Sequence, residues 1–490
     1  MSIQATKEEL NSLADSKFQQ ERHITNNITE DILSIFHRVF IKSVWYSSIP
    51  LKLKRTIDGE EVIYTVNDSF HFLQYSYMRF VLPPLSIKKE YKGRARICWC
   101  HNVGTNMIRH AVFKEDDDTY HKWDNYWADI YFQFFQDPGA GKREAHNVGV
   151  GNTECIEEWR EFLPCYPINV DQPWFYSMDT AVAFPIFYKN SQTRAEHRYT
   201  FRRKVSDLLR LQIKAPDGKW KNMSRNIHRY VDIHSSETIK LPELWGRYAY
   251  VNNKLLAHYK CNPEQPRVYY IRDVEVCDTP NPNKYKSTAE INLHCTNPCL
   301  AFFWVAENMD AAANHNYSNY TTDSEDLYAG WDPITATTLK YGTTIRLDNM
   351  PSDHFSIAEP RKHFPSSPSE RGYHGYSYAW DSTSYHGDIG IILSSMNARL
   401  LCPIDNNNIF TNTVYNTKEE DEDDDDVTMT SISRQELDDS RTQEESKRHD
   451  ASEPEDSLRE NPSFITRARL LVVKKLTITT VGEGYKFTVE

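Results

Sequence analysis

The strongest constraint on this chain is the stretch Asn297 to Thr322, NPCLAFFWVAENMDAAANHNYSNYTT, where a dense apolar run gives way to a loop of asparagine and tyrosine. Leu300 to Val305 is apolar or aromatic at every position behind Pro298, too short for a globular helix and rich in residues that suit a pleated surface. A run without polar alternation predicts a strand covered on both faces, with Trp304 inside a core. Asn308 to Asn319 has no apolar period and predicts a connection whose side chains hydrogen-bond locally.

Composition narrows the architecture. Aromatic residues make up 13% of the chain, with 29 Tyr against 17 Gly, a balance that favours well-cored β structure over helical bundles or linker-rich chains. At 490 residues a domain size of about 100 to 200 residues allows two or three units, and all-β domains of about 200 to 250 make two the expected number. Charge is concentrated in one place. Residues 418–460 carry 18 acidic and 6 basic side chains, the whole formal excess of −12, so the rest balances at 51 of each sign. A neutral body does not support a general nucleic-acid face. The acidic run Glu419, Glu420, Asp421, Glu422, Asp423, Asp424, Asp425 and Asp426 opens a stretch with too little apolar surface to offset its ordering entropy, which predicts disorder. Nine cysteines behind a polar start, MSIQATKEEL, predict reduced thiols rather than structural disulfides. No stretch approaches 18 consecutive apolar residues, so no membrane-spanning helix is expected. The sequons at Asn316 and Asn319 would matter only in a secreted protein.

Along the chain, residues 1–40 predict a partly helical arm: Thr6 with Glu9 makes a capping-box pattern, and Ile32, Ile35, Phe36, Val39 and Phe40 recur at helical spacing. Residues 41–235 predict a first β unit, with Asp58-Gly59 as a hairpin turn and strands at Val62 to Val66, Phe70 to Leu82, Ala95 to Asn102, Met107 to Lys114, Ala181 to Tyr188, Tyr199 to Arg203 and Leu208 to Ala215. Residues 236–262 show no clear alternation and are expected to connect two units. Residues 263–490 predict a second β unit, with strands at Arg267 to Val276, Ala289 to His294, Leu300 to Val305, Thr335 to Leu347, His354 to Ala358, Tyr373 to Trp380, Ala398 to Ile404 and Ala468 to Val481. The acidic insertion, 418–460, precedes the last of these.

In this order the chain resembles the double jelly-roll major capsid proteins of large nucleocytoplasmic double-stranded DNA viruses. The second-unit motif of that family, N-x-P followed by an apolar run with Trp and an N-x-x-N-Y-T ending, is matched by Asn297, Pro298, Trp304, Asn316, Asn319, Tyr320 and Thr321. Trp99, Asn102 and Gly104 match its W-x-x-N-V-G, and Asp124 to Trp127 is similar to its G-D-W region. Pro173-Trp174-Phe175 and Phe184-Pro185-Ile186 resemble its L-P-F-W-F and L-A-L-P-L pair, while Phe355 to Pro360 and Gly375 to Ala379, including Tyr378, resemble its F-x-x-x-x-P and Y-V-Y-S-F-A elements. The family's turn glycines are replaced here by Glu115 to Asp118, and its S-G-x-x-N-F-S-R-I-D element is reduced to Asp388-Ile-Gly-Ile-Ile-Leu-Ser-Ser. The resemblance implies an all-β chain of two consecutive eight-stranded jelly rolls with a disordered acidic loop. It implies no catalytic site, no cofactor and no metal. It further implies a homotrimeric, pseudo-hexagonal capsomer of an icosahedral virion capsid assembled in the host cytoplasm, which touches neighbouring capsomers and minor capsid or inner-membrane proteins without sequence-specific nucleic-acid contact. A poxvirus-like transient scaffold is the alternative within this fold. A carbohydrate-active jelly roll, which would show a concave patch of aromatics with carboxylates, and an acid-rich chaperone of basic proteins are readings from other classes.

Other chemistry is suggested and then refused by the residues. Gly139-Ala-Gly141-Lys142 lacks the first glycine of a phosphate loop and has Arg143 where Ser or Thr must reach magnesium. Cys98 with Cys100, and Cys295 with Cys299, are poor zinc templates and read as small buried hydrophobes. His354, His363, His374 and His386 show no metal-ligand spacing. Asp116, Asp117 and Asp118 read as a charged turn, and Asp124 and Asp129 have no glycosidase-like context.

Overall fold

The computed structural model describes residues 46–116, 118–135, 158–178, 182–188, 194–224, 227–233, 238–251, 256, 267–278, 288–379, 396, 398–404, 464–481 and 484–489. The expectations for the arm 1–40, for Gly139 to Lys142, for Asp117 and His386 and for the acidic run 419–426 lie outside them.

Two pairs of antiparallel sheets dominate. In the first pair, one sheet orders Tyr46–Lys52, Glu243–Val251, Phe72–Leu82 and Tyr166–Asp171, with Phe184–Pro185 also on Phe72–Leu82. Its mate orders Lys54–Asp58, Glu61–Thr65, Ala195–Phe201, Ile108–Glu115 and Asp118–Asp124. Period-2 patterning explains the packing: along Phe72–Leu82, Ser76, Met78, Phe80 and Leu82 are buried while Arg79 and Val81 face out. The hairpin at Asp58 turns through Gly59 at φ 59°, a conformation that glycine adopts without strain. In the second pair, one sheet orders Arg267–Asp278, Phe464–Val481, Cys299–Asn308 and Tyr373–Ser377, with Gly484–Val489 folded back on Phe464–Val481, and the other orders Thr288–Leu293, Ala398–Pro403, Ala336–Tyr341 and Thr344–Pro351. These are two jelly-roll sandwiches. Among the described residues the paired sheets hold ten and nine strands, because short or hairpin strands supplement the eight expected of each roll.

Four expectations are corrected, and one helix stands where the sequence carries no expectation. Residues 236–262 are not all connection: Glu243–Val251 lies between Tyr46–Lys52 and Phe72–Leu82 in the first sandwich. Its apolar alternation is broken by Gly246, where a side chain would meet Leu73 and Tyr248 at 2.9 Å. Thr335 to Leu347 is a hairpin, not one strand, reversing at Gly342 with φ 57°. His354 to Ala358 is a wide helical turn continued by the helix Glu359–His363, which takes Pro360 in its first turn. Of Ala181 to Tyr188, Phe184–Pro185 alone among the described residues pairs as strand, before a tight turn at Ile186–Tyr188. Asn125–Phe135, for which the sequence carries no expectation, is an 11-residue helix.

The strand Cys299–Asn308 is buried at every position. Phe302, Trp304 and Ala306 fill the second sandwich, while Ala301, Phe303 and Val305 face a core continuous with the first. That two-sided burial is why its sequence shows no polar alternation.

Candidate functional site

The feature that unites the two rolls is their junction, centred on the helix Asn125–Phe135. Its apolar side meets the second roll through rings: Trp127 lies 5.8 Å from Phe303, Phe134 lies 4.9 Å from Phe303 and 5.3 Å from Phe364, distances typical of edge-to-face and tilted aromatic contacts. Gly375 sits where a Cβ would come within 2.9 Å of Phe134, so only glycine allows this approach.

Polar groups then fix the orientation. Asp129, 1% exposed on the helix, accepts hydrogen bonds from Thr105 Oγ1 at 2.6 Å, Ser318 Oγ at 2.6 Å and Tyr320 OH at 3.1 Å. Burial pushes its carboxyl up to about 6, against the opposing pull of the Ser318 and Thr105 hydroxyls. Asn106 donates to Ser318 Oγ at 2.6 Å and to the His101 carbonyl at 2.9 Å. His101 Nε2 meets Glu370 Oε1 at 2.8 Å. The Asn/Tyr-rich loop predicted to bond locally therefore also bonds across the junction. Within it, the Asn308 side chain caps the short helix Met309–Ala313, and Asn319 Oδ1 accepts from the Thr321 N–H at 3.1 Å. Asn316 and Asn319 are both 1% exposed, so neither sequon is open to glycosylation in this fold. Gly372, at φ 89°, lets the backbone pass Tyr320, whose carbonyl oxygen lies 2.4 Å from where a Cβ would stand.

A second set links the last long strand to the first roll. Arg469, 1% exposed, donates from Nε and Nη2 to Asp124 at 3.1 and 2.6 Å and from Nη1 to Asp278 at 2.5 Å. Burial works against its charge, but Asp124 and Asp278 outweigh it and hold the guanidinium above its ordinary value. Arg467 donates to Glu307 at 2.8 and 3.0 Å and to Asp278 at 3.1 Å. Tyr126 lies beneath both guanidinium groups at 4.8 and 5.2 Å and donates to Glu307 at 2.7 Å. Lys474 reaches Asp273 at 2.6 Å. Nearby His121 is driven down to about 4 by burial, despite Asp273. Arg467, Arg469, Asp273 and Asp278 are absent from the sequence-predicted residues. The signal was an arginine on the inward parity of an apolar strand, T-R-A-R-L-L-V-V.

The sequence-predicted residues divide between junction and cores. Asn102, Gly104, Trp127, Asn319 and Tyr320 belong to the junction: Asn102, at φ 50°, precedes the turn Val103–Asn106 that carries Gly104. Trp99 is buried at the end of the strand Ala95–Trp99. Pro173 and Pro185 are buried in the first roll. Pro298 accepts from the Val473 N–H at 2.9 Å. Trp304 stacks on His374 at 5.4 Å and meets Phe355 at 5.1 Å. Pro360 is buried, and Tyr378 shares a 2.6 Å hydrogen bond with Tyr341.

Two clusters resemble reactive chemistry and lack its geometry. Ser352 Oγ and Asp332 Oδ2 both reach His374 Nε2, at 2.6 and 2.8 Å, while Nδ1 faces the Trp304 carbonyl at 3.2 Å. An activated serine needs its hydroxyl and its acid on opposite ring nitrogens, so this group is a hydrogen-bonded lock. His354 and His363 flank Glu359 at 3.7 and 3.9 Å, and among the described residues no group of three or more His, Cys, Asp or Glu is placed to hold a metal. Cys98, Cys100, Cys295 and Cys299 are buried, as small apolar residues would be. No described helix is long and apolar enough to cross a membrane.

Comparison with known proteins supplies the family. Residues 34–192 match the model for the major capsid protein N-terminus, and residues 262–434 match that for the large eukaryotic DNA virus major capsid protein. Curated relatives include the major capsid proteins of Simulium iridescent virus, 26% identical over 379 residues (70% of this chain, 75% of that one), and of Lymphocystis disease virus 1, 26% identical over 388 residues (73% and 79%). In fold, the chain is similar to VP54 of PBCV-1, with a TM-score of 0.61 at 11% identity over 92% of this chain and 99% of that one. It is also similar to the Faustovirus major capsid protein, with a TM-score of 0.59 at 8% identity over 96% and 98%. With two jelly rolls locked by a buried junction and both halves matched in order, the chain belongs to the major capsid proteins of large eukaryotic DNA viruses, structural proteins of the virion capsid.

Proposed function

We propose that three copies of this chain associate into a six-lobed capsomer, each chain contributing one lobe built on residues 46–251 and a second on residues 267–489. The observation that carries this reading is the junction. Aromatic packing and buried ion pairs hold the two sandwiches at one angle, and a trimer can present six regularly placed lobes only if that angle is constant. Each lobe also leaves apolar side chains exposed on an outer strand of a sheet. Val268, Tyr270 and Val276 are exposed on the edge strand Arg267–Asp278, and Tyr46 and Ile49 on the edge strand Tyr46–Lys52. Exposed apolar side chains on such strands suit side-to-side association. A neutral folded body suits close packing of many copies, since strong net charge would make neighbours repel. Neighbouring capsomers, and minor capsid or inner-membrane proteins beneath, are the remaining partners, with assembly in the host cytoplasm and no catalytic step. The acidic insertion before the last long strand is read as an exterior loop. Mass measurement over a wide concentration range tests the reading: three chains per particle support it, and a stable monomer throughout overturns it.

A further inference from the structure

A cleft of about 460 Å³ opens where the first roll meets the loop following Asn316 in the second, within the size range of small-ligand sites, about 300–1,000 Å³. Its aromatic wall is held by stacked cations. The Arg96 guanidinium lies over Trp220 at 4.2 Å and over Trp159 at 5.3 Å, and that of Arg210 lies over Trp159 at 5.2 Å. Arg96 is anchored by two bonds to Gln212 Oε1 at 2.8 and 2.6 Å, and Arg210 by one to the Glu325 carbonyl at 2.8 Å. Those contacts fix the indoles in place before any ligand arrives. Tyr328, 63% exposed, also lines the cleft.

The polar lining is balanced and incomplete. Arg96 and Arg210 are offset by Glu325 and Asp326, so the cleft does not select for ligand charge. Two of its buried polar atoms, Asn316 Oδ1 and Arg210 Nε, have no hydrogen-bond partner, and Asn316 is 1% exposed. An unmet buried acceptor and an unmet buried donor in one lining carry a desolvation penalty that a partner or ordered water relieves. The matching ligand has a flat apolar face for indole and phenol, groups that donate and accept at once, and no net charge. A neutral saccharide meets all three conditions: its ring presents C–H bonds to an aromatic face, and each hydroxyl is both donor and acceptor.

We propose that this cleft is a saccharide-binding site, separate from the contacts that would build the capsomer. Saturation-transfer NMR of the full chain with the methyl glycosides of glucose, galactose, mannose and N-acetylglucosamine tests it, alongside panning of a random heptapeptide phage library on the same protein. At least one glycoside is expected to receive saturation, and Tyr328→Ala and Trp220→Ala are each expected to weaken it about tenfold or more. Tyr328 is exposed, so its replacement reads binding without threatening the fold, and an unchanged melting temperature verifies this. The proposal is overturned if no glycoside receives saturation, if transfer is unaffected by both variants, or if the library yields a peptide whose binding Trp220→Ala abolishes while no glycoside binds. That last result would make the cleft a protein-docking site.

Discussion

Replacing Arg469 with Met removes the charge at the centre of the junction while keeping a side chain of comparable length. The guanidinium makes three charge-assisted bonds to Asp124 and Asp278 and one to the Ala468 carbonyl at 2.7 Å. Asp278 keeps Arg467 at 3.1 Å, but Asp124 is left with the Trp127 N–H at 3.0 Å as its remaining described partner. Breaking a buried pair from one side costs about 3 to 5 kcal/mol, because it strands the other charge, and Asp278's surviving partner places Arg469→Met at the lower end. Adding Asp124→Asn should recover part of that loss, since a neutral amide needs no counter-charge. The double variant is therefore expected to be more stable than Arg469→Met alone, a coupling that a double-mutant cycle reads directly. The assay is urea unfolding at fixed protomer concentration, because association shifts apparent stability, with an unchanged slope required for comparison. A loss under about 1 kcal/mol, the scale of an exposed ion pair, or no recovery in the double variant, would refute this account of the junction.

Three further outcomes are expected. Trp304→Ala empties a fully buried site between Phe302, Phe355 and His374 and should lower stability by about 3 to 5 kcal/mol; an unchanged melting curve would contradict that packing. Because the Asp129 carboxyl is raised to about 6 in the folded chain, above its ordinary value, the folded state binds the proton more readily. Its contribution is thus fully present below about pH 4 and is lost as pH rises through 6, by at most about 3 kcal/mol. Asp129→Asn should flatten that part of the pH profile, and identical profiles for the two proteins would exclude it. Limited proteolysis of intact particles should cleave within residues 418–460 with assembly retained if the insertion lies outside the shell, whereas protection until the shell is opened would contradict an exterior position.

How much of this was readable in the chain depends on whether the information was local. Leu300 to Val305 announces a doubly covered strand because burial on both faces suppresses alternation, and the structure explains each face separately. The turns at Gly59 and Gly218 follow from positive φ at glycine after aspartate. By contrast, Asn125–Phe135 is rich in Tyr, Trp and Phe, types that favour strands, and it is buried around much of its circumference, so no single apolar stripe marked it as a helix. Glu243–Val251 was hidden by Gly246, which makes room for Leu73 and Leu53 where an apolar side chain would have completed the pattern. The Arg469 to Asp124 pair spans 345 positions, and no local period encodes a partner that distant.

The composition of the junction carries a last consequence. Phe134, Phe303 and Phe364 supply non-directional attraction, which holds two bodies together at many angles, whereas the bonds from Arg469 to two carboxylates are satisfied at one. Apolar groups of similar volume at a buried ionic cluster are often neutral or stabilising, so stability alone does not require charge here. In the capsomer proposed above, the angle between the rolls sets where every second lobe stands. The combined variant Asp124→Leu, Asp278→Leu and Arg469→Met should therefore melt within about 2 kcal/mol of the parent chain yet form regular capsomers and shells less completely, as counted by electron microscopy. Equal assembly at equal stability would mean that ring packing alone determines the angle, and that the buried charges do not define the geometry of the lobes.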